Sequence, residues 1–167
     1  MNPSETIRKI FIFNDLDDLE IEEILKISQE KRFAEGEVVT QEGEQGDSMF
    51  ILFEGNVEVS KTLTMKVEEG DFTEREKILR RFKAEDNLVF GEIAMIDQET
   101  RSASVVTTTD CILLEIKRED FLKLLEDRPK TGVKILQRLA ELLANRLRQS
   151  SKDVVRLTTA LSIALSS

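Results

Sequence analysis

The sequence predicts a mainly β domain with flanking helices. Three observations carry this expectation. Apolar residues recur at helical spacing in residues 4–31 and again from Arg118 onward. Between those stretches lie short apolar runs rich in β-branched residues, cut by Gly36, Gly43, Gly46 and Gly55. Finally, from Leu136 to Ala164 the apolar spacing alternates between four and three, over a run too long for a small core to cover. A chain of 167 residues suits a single domain, here 1–128, with an appended element at 129–167.

In chain order, residues 4–31 predict two short helices, separated by the turn signal Asn14-Asp15, either of which can cap the second. The runs EVVTQ, SMFILF and NVEVS follow as strands joined by tight turns, and SASVVTTTDCILLEI adds two more around a turn at Thr108, Thr109 and Asp110. An all-β core over 32–116 is the result. Within it, residues 61–88 have a charged middle and one glycine, Gly70, which predicts an extended loop with a helical turn at 73–78 and a strand near 78–83. REDFLKLLEDR then gives a short helix, and Pro129, tolerated in a first helical turn, opens a long one that Gly132 lies too near the start to divide. The heptad seam of Leu136, Ala140, Leu143, Leu147, Ser150, Val154, Leu157, Leu161 and Ala164 predicts a parallel homodimer, with its first turns packed on the β core. Cys111 and the phenylalanines at 11, 13, 33, 50, 53 and 90 are expected inside.

Composition removes whole classes of chemistry. There is no histidine, hence no histidine general base, metal ligand or nucleophile partner. A single cysteine allows neither an intramolecular disulfide nor a cysteine metal cluster, and points to the cytoplasm. No apolar stretch is long enough for a membrane span, and the start turns acidic before a signal-peptide core can form. The net charge of -9 would repel a polyanion, so DNA is not the expected partner. That charge is uneven: residues 1–116 carry 13 basic and 27 acidic side chains, residues 117–167 carry 11 and 6.

One stretch carries recognisable chemistry: Phe90-Gly91-Glu92-Ile93-Ala94-Met95, followed shortly by Arg101-Ser102-Ala103-Ser104-Val105. Gly91 permits a close backbone approach, and EIAMI can form one helical turn whose free amides face an anion. Arg101 supplies a planar, permanently charged fork for phosphate oxygens, while Glu92, an acceptor only, suits a sugar hydroxyl. Ser102 adds a hydroxyl. The set describes a pocket for a phosphate joined to a ribose.

FGEIAM followed by RSASV resembles the phosphate-binding cassette of cyclic nucleotide-binding domains, and GEVVTQEGEQGDSMFILFEGNVEV resembles that family's β-roll, a jelly-roll-like double-stranded barrel. The likeness covers approximately 5–150. It implies that Glu92 receives the ribose 2′-hydroxyl, that Arg101, Ser102 and Ala103 hold the cyclic phosphate, and that Gly91 and the amides near Ile93 and Ala94 complete the cradle. Ser150 and Ser151 match helix positions where hydroxyl residues of the family's bacterial activator meet the purine, which favours cAMP over cGMP. Two departures stand out: AEDNLVF replaces the usual Gly-Asp pair before the cassette, and the 61–88 segment is longer than usual. The sequence read this way is expected to lack a DNA-reading module after the long helix. The resulting expectation is a non-enzymatic regulator that senses a cyclic nucleotide, cAMP by resemblance, and signals through its C-terminal helix to a protein effector; the alternative is a dimerisation scaffold that keeps the fold without the ligand. A cupin-type enzyme would need metal-holding histidines that the chain lacks.

Overall fold

The computed structural model describes residues 3–68, 71–97 and 99–166. Helix α1 (Pro3–Lys9), a 3-10 turn (Phe11–Phe13) and α2 (Asp18–Lys26) precede eight strands. These are β1 (Ser28–Phe33), β2 (Val38–Thr40), β3 (Ser48–Glu54), β4 (Asn56–Glu68), β5 (Asp71–Lys83), β6 (Val89–Phe90), β7 (Ser104–Thr107) and β8 (Cys111–Lys117). Helix α3 (Glu92–Asp97) lies between β6 and β7, and α4 (Arg118–Asp127) and α5 (Pro129–Leu165) close the chain. Among the described residues, no helix is long and apolar enough to cross a membrane.

The strands form two antiparallel four-stranded sheets, ordered β1-β8-β3-β6 and β2-β7-β4-β5, the expected jelly-roll-like architecture. Strand β3 explains why there are three layers. Its residues alternate between two cores: Met49, Ile51 and Phe53 face the helices, whereas Phe50 and Leu52 face the second sheet. Strand β8 does the same, with Leu114 and Ile116 on the helix side and Cys111 and Leu113 between the sheets. A strand buried on both faces carries a continuous apolar run, which is what SMFILF is. Gly55 turns β3 into β4 with φ +91°, and a Cβ there would lie 2.4 Å from the Asp110 carbonyl oxygen, so the turn admits no side chain.

The structure corrects four expectations. Residues 28–31 are strand, not helix: β1 pairs with β8 from Ser28 to Phe33, but its sequence, SQEKRF, is so exposed that no alternation marks it. The cap of α2 is Asp17 rather than Asn14 or Asp15, because Glu20 three residues on completes a reciprocal capping box. Residues 61–88 are not a loop with a helical turn at 73–78. The segment is mostly the hairpin β4–β5, in which Lys61 pairs with Lys77 and Lys66 with Phe72. Strand β4 leaves β7 after Ser60, so beyond that point β4 pairs with β5 alone. Gly70 lies outside the described residues. Phe11, expected inside, is 36% exposed beneath the Arg138 guanidinium, 5.2 Å from its ring centroid.

The long helix is a single element of 37 residues. Its first turns pack on the core through Thr131, Gly132, Ile135 and Leu139, and not through the seam expected to do so: Leu136 and Ala140 are exposed. Ion pairs tie the same turns to α2 and its approach. Lys134 reaches Glu20 at 2.6 Å and Arg138 reaches Asp15 at 2.5 Å. The apolar seam lies off that packing face and is largely bare, with Leu136, Leu147, Val154, Leu157 and Leu161 exposed.

Glu20 joins these parts, accepting from the Asp17 amide, from Thr131 Oγ1 and from Lys134 Nζ. Burial alone would raise its carboxyl pKa, but the hydrogen bonds from Lys134, Asp17 and Thr131 outweigh it and hold the group below its ordinary 4.5. A depressed carboxylate contributes stability that is fully present above the unfolded value and is lost as pH falls through the folded one. Glu20→Gln is therefore expected to lower the urea midpoint at pH 7, with the gap to wild type closing as the pH is taken below 4.5. Denaturation at a series of pH values checks this; a gap independent of pH would contradict it.

Candidate functional site

A cavity of about 200 Å³ opens between α3 and the inner face of the second sheet. Its polar end is built by Gly91, Glu92, Arg101, Ser102 and Ala103, and its apolar end by Val59, Phe82, Leu88 and Val105. A cavity of this make-up, mostly apolar with a few converging polar groups, is the usual form of a small-molecule site.

Arg101 sits just ahead of β7 and is held from two sides. Its Nη1 donates to the Ser48 carbonyl oxygen at 2.6 Å and its Nη2 to Ser48 Oγ at 3.1 Å, while its carbon centre lies 5.7 Å from the Phe50 ring centroid. Among the described residues no carboxylate comes within ion-pair distance of it. Burial pulls its pKa down, and Asp47, Glu115, Glu44 and Glu92 oppose that only through space. An arginine stays charged regardless, so the site holds a cation whose nearest protein partners are neutral. An anion supplied from outside would complete it.

Gly91 makes that placement possible. Its φ is +78°, and an added Cβ would meet Arg101 Nη1 at 2.5 Å and the Ser48 carbonyl oxygen at 2.8 Å. The backbone therefore passes where a side chain would sit, and Arg101 fills the space.

Glu92 opens α3 and is 1% exposed. A buried carboxylate needs a partner, and it has one from across the chain. Arg146 of α5 donates through Nη1 to Glu92 Oε1 and through Nη2 to the Val89 carbonyl oxygen at 3.0 Å. Arg146 lines the cavity too. Nothing in the spacing of the sequence announces this residue, because its partner lies 54 positions away.

Of the residues singled out from the sequence, Gly91, Glu92, Ile93, Arg101, Ser102 and Ala103 converge on the one cavity. Ala94 continues α3 beside Ile93. Ser150 and Ser151 stand apart: both are exposed on α5, and Ser151 Oγ donates to the Leu147 carbonyl oxygen at 2.9 Å. Ser150 lies one helical turn beyond Arg146, on the same face. Thr40, Val59, Phe82, Leu88 and Arg146 were not foreseen as lining residues. The alternation in NVEVS could have placed Val59 inward beside Val57. Phe82 lies in β5, in the stretch 78–83 expected as a strand, but nothing in RRF marks it as facing a cavity.

Comparison with known proteins agrees with this geometry. The family model described as "Cyclic nucleotide-binding domain" matches residues 30–128. The chain is 28% identical over 153 residues to a "CRP-like cAMP-activated global transcriptional regulator" of Mycobacterium tuberculosis, covering 92% of this chain and 62% of that protein. It is 31% identical over 157 residues to a "cGMP-dependent protein kinase" of Plasmodium berghei, covering 87% of this chain and 17% of the kinase. Among solved structures, the catabolite activator protein of Thermus thermophilus superposes with a TM-score of 0.73 at 28% identity, over 88% of this chain and 62% of that one. The chain thus spans about three-fifths of the CRP-like relatives it matches.

Replacing Gly91 tests the site's construction directly. Gly91→Ala is expected to cost about 1–2 kcal/mol, the usual penalty for a left-handed L residue, and to push Arg101 off Ser48. Urea denaturation reads the first effect, and the arginine side-chain resonances in a nitrogen-15 NMR spectrum read the second. An Arg101 signal unmoved by the substitution would refute the placement.

Proposed function

The chain belongs to the cyclic nucleotide-binding domain family, and we propose that it is a regulatory sensor in which a cyclic nucleotide occupies this cavity and reports its presence through α5. The observation that carries the reading is Arg101: half-buried, charged, without a carboxylate in contact among the described residues, and facing a cavity. The cyclic phosphate supplies the missing anion, with the Ser102 hydroxyl and the first amides of α3 beside it. Glu92, accepting only, takes the ribose 2′-hydroxyl on Oε2 while Oε1 remains with Arg146. The purine extends over the apolar end. Binding and regulation rather than catalysis is the role proposed, in the cytoplasm, with a protein effector of unidentified kind.

Output follows from the shared carboxylate. A ligand shifts a conformational equilibrium only by its difference in affinity for the two states. A ligand seated on Glu92 lies against the Arg146 guanidinium, so the energy of binding depends on where α5 sits. Ser150 and Ser151, one turn further, would meet the purine if α5 closes over it; the expectation of cAMP rests on that contact. The bare seam beyond Leu142 supports a parallel homodimer along the distal helix, since exposed leucines at a heptad spacing are covered by a second copy of the same helix.

Three measurements test the proposal. A saturating cyclic nucleotide, at a hundredfold excess over its Kd, should add about 2.7 kcal/mol to stability and raise the melting temperature. Arg101→Ala should abolish that rise, at a cost to binding of about 2–5 kcal/mol, with the fold intact. If no cyclic nucleotide shifts the melting temperature, the chain is a scaffold and the sensor reading fails. Amide hydrogen exchange should show ligand-dependent protection in residues 147–165 that is lost in Arg146→Ala; changes confined to the β core would remove the proposed route of output. Leu157→Glu should convert a dimer to a monomer in sedimentation equilibrium, and an unchanged mass would remove the proposed interface.

A further inference from the structure

The distal half of α5 carries a second set of side chains besides its seam. The seam runs through Leu147, Ser150, Val154, Leu157, Leu161 and Ala164, and a second copy laid along it leaves the opposite side of the helix facing water. Such an outer side is ordinarily polar throughout. Here Val155 and Ile163, 64% and 65% exposed, stand on it two turns apart with Thr159 between them. Both are β-branched, a type that helices do not favour on their own account, so helix propensity does not explain them.

Cations edge this ridge. Arg148, Lys152 and Arg156 follow one another at four-residue spacing on the same outer side, and all are exposed. Arg148 donates to Asn145 Oδ1, and among the described residues neither it nor Lys152 has a carboxylate within ion-pair distance. Arg156 lies 3.7 Å from Asp153, which flanks the seam and accepts from Gln149 at 2.9 Å. After Arg156 the helix holds no charged residue. The outer face is thus apolar and basic with no acid upon it, over about 22 Å of helix from Arg148 to Ile163. The bases nearer the core are committed to Glu20, Asp15 and Glu92; these three are not.

The composition of the face separates the anionic partners that suit a basic surface. A nucleic acid rewards cations alone and gains nothing from Val155 and Ile163, and the net charge of -9 opposes it. A lipid surface takes up a broad apolar face, whereas these apolar residues form one narrow line with cations immediately beside it. A protein helix meets both features: one apolar ridge to lie against Val155, Thr159 and Ile163, and carboxylates on its flanks for Arg148, Lys152 and Arg156.

Resting on the reading of α5 as the output element, we propose that this outer face is the docking surface for the effector, and that the effector presents an acidic amphipathic helix to it. A dimer joined at the seam carries the face twice, on opposite sides, so self-association and effector binding do not compete. The charges steer the encounter and fix the register, and burial of the two apolar side chains holds the complex.

The test uses the full chain and a labelled synthetic peptide about six helical turns long, with leucines along one ridge and glutamates on both flanks, followed by fluorescence polarisation. Wild type should bind it, with affinity falling roughly tenfold or more as salt rises from about 0.05 M to about 0.5 M. Val155→Ser combined with Ile163→Ser, and separately Lys152→Glu, should each weaken binding about tenfold or more, while sedimentation equilibrium shows the dimer unchanged because the seam is untouched. A peptide of the same composition with its leucines scattered around the helix should bind about tenfold more weakly; equal binding of the two would mean charge attraction alone and overturn the proposal. So would absence of binding, equal binding to wild type and the Val155/Ile163 double variant, or tighter binding of a DNA duplex or of phosphatidylserine vesicles than of the ridge peptide. Peptide binding needs no nucleotide: a chain that binds the peptide but no cyclic nucleotide keeps the docking face and loses the sensor reading, and the reverse result keeps the sensor and removes the face.

Discussion

A carboxylate with almost no solvent around it cannot be left alone, and Glu92 is such a group, 1% exposed at the start of α3. Removing an ion from water costs several kcal/mol unless a counter-charge and hydrogen bonds replace the water. The nearest answer in this chain lies 54 residues further on, in Arg146, which also takes the Val89 carbonyl. The C-terminal helix must therefore return across the mouth of the cavity. Its course is set by a charge as much as by its apolar face, and cavity and helix cannot move independently while that pair persists.

The rest of the domain supplies a rigid frame for this contact. Strands β3 and β8 are packed on both faces, so the Ser48 backbone that grips Arg101 belongs to one of the least compliant elements of the structure. Close-packed interiors transmit displacement rather than absorb it. Gly91 gives up its side chain so that Arg101 can lie against that strand. The two charged groups of the site are thereby held by opposite means: Arg101 by neutral acceptors on a fixed strand, Glu92 by a cation on a helix that leaves the core a few residues later.

What could be read from the sequence and what could not divide along physical lines. The cassette Phe90–Met95 was legible because its residue types are demanded by chemistry at fixed short spacing, and Cys111 and β3 because burial on both sides leaves a continuous apolar run. Helix α5 was legible from its period and from the absence of any breaker after Pro129. Strand β1 was not, since SQEKRF is exposed along most of its length and is held by backbone pairing with β8. The β4–β5 ribbon escaped because its charged middle imitates a loop. Arg146 was invisible because an ion pair between distant positions has no local signature.

The uneven charge noted in the sequence now has a structural account. The acids of the first half and the bases of the last meet each other: Lys134 with Glu20, Arg138 with Asp15, Arg146 with Glu92. All three bases lie in the first half of α5, each about two turns or less from the next, and all three fasten it to the body of the domain. Beyond them, Arg156 pairs with Asp153 within the helix itself, and the apolar seam is exposed. Three of the basic residues thus fasten two parts of one chain. Arg146 is the last of these fastenings. The two before it join α5 to α2 and its approach, away from the cavity lining, so they hold regardless of what the cavity contains. Only Arg146 ends inside the cavity, at the point where the helix passes from anchored to free, so a ligand there acts on the one fastening whose release or tightening redirects everything distal to it.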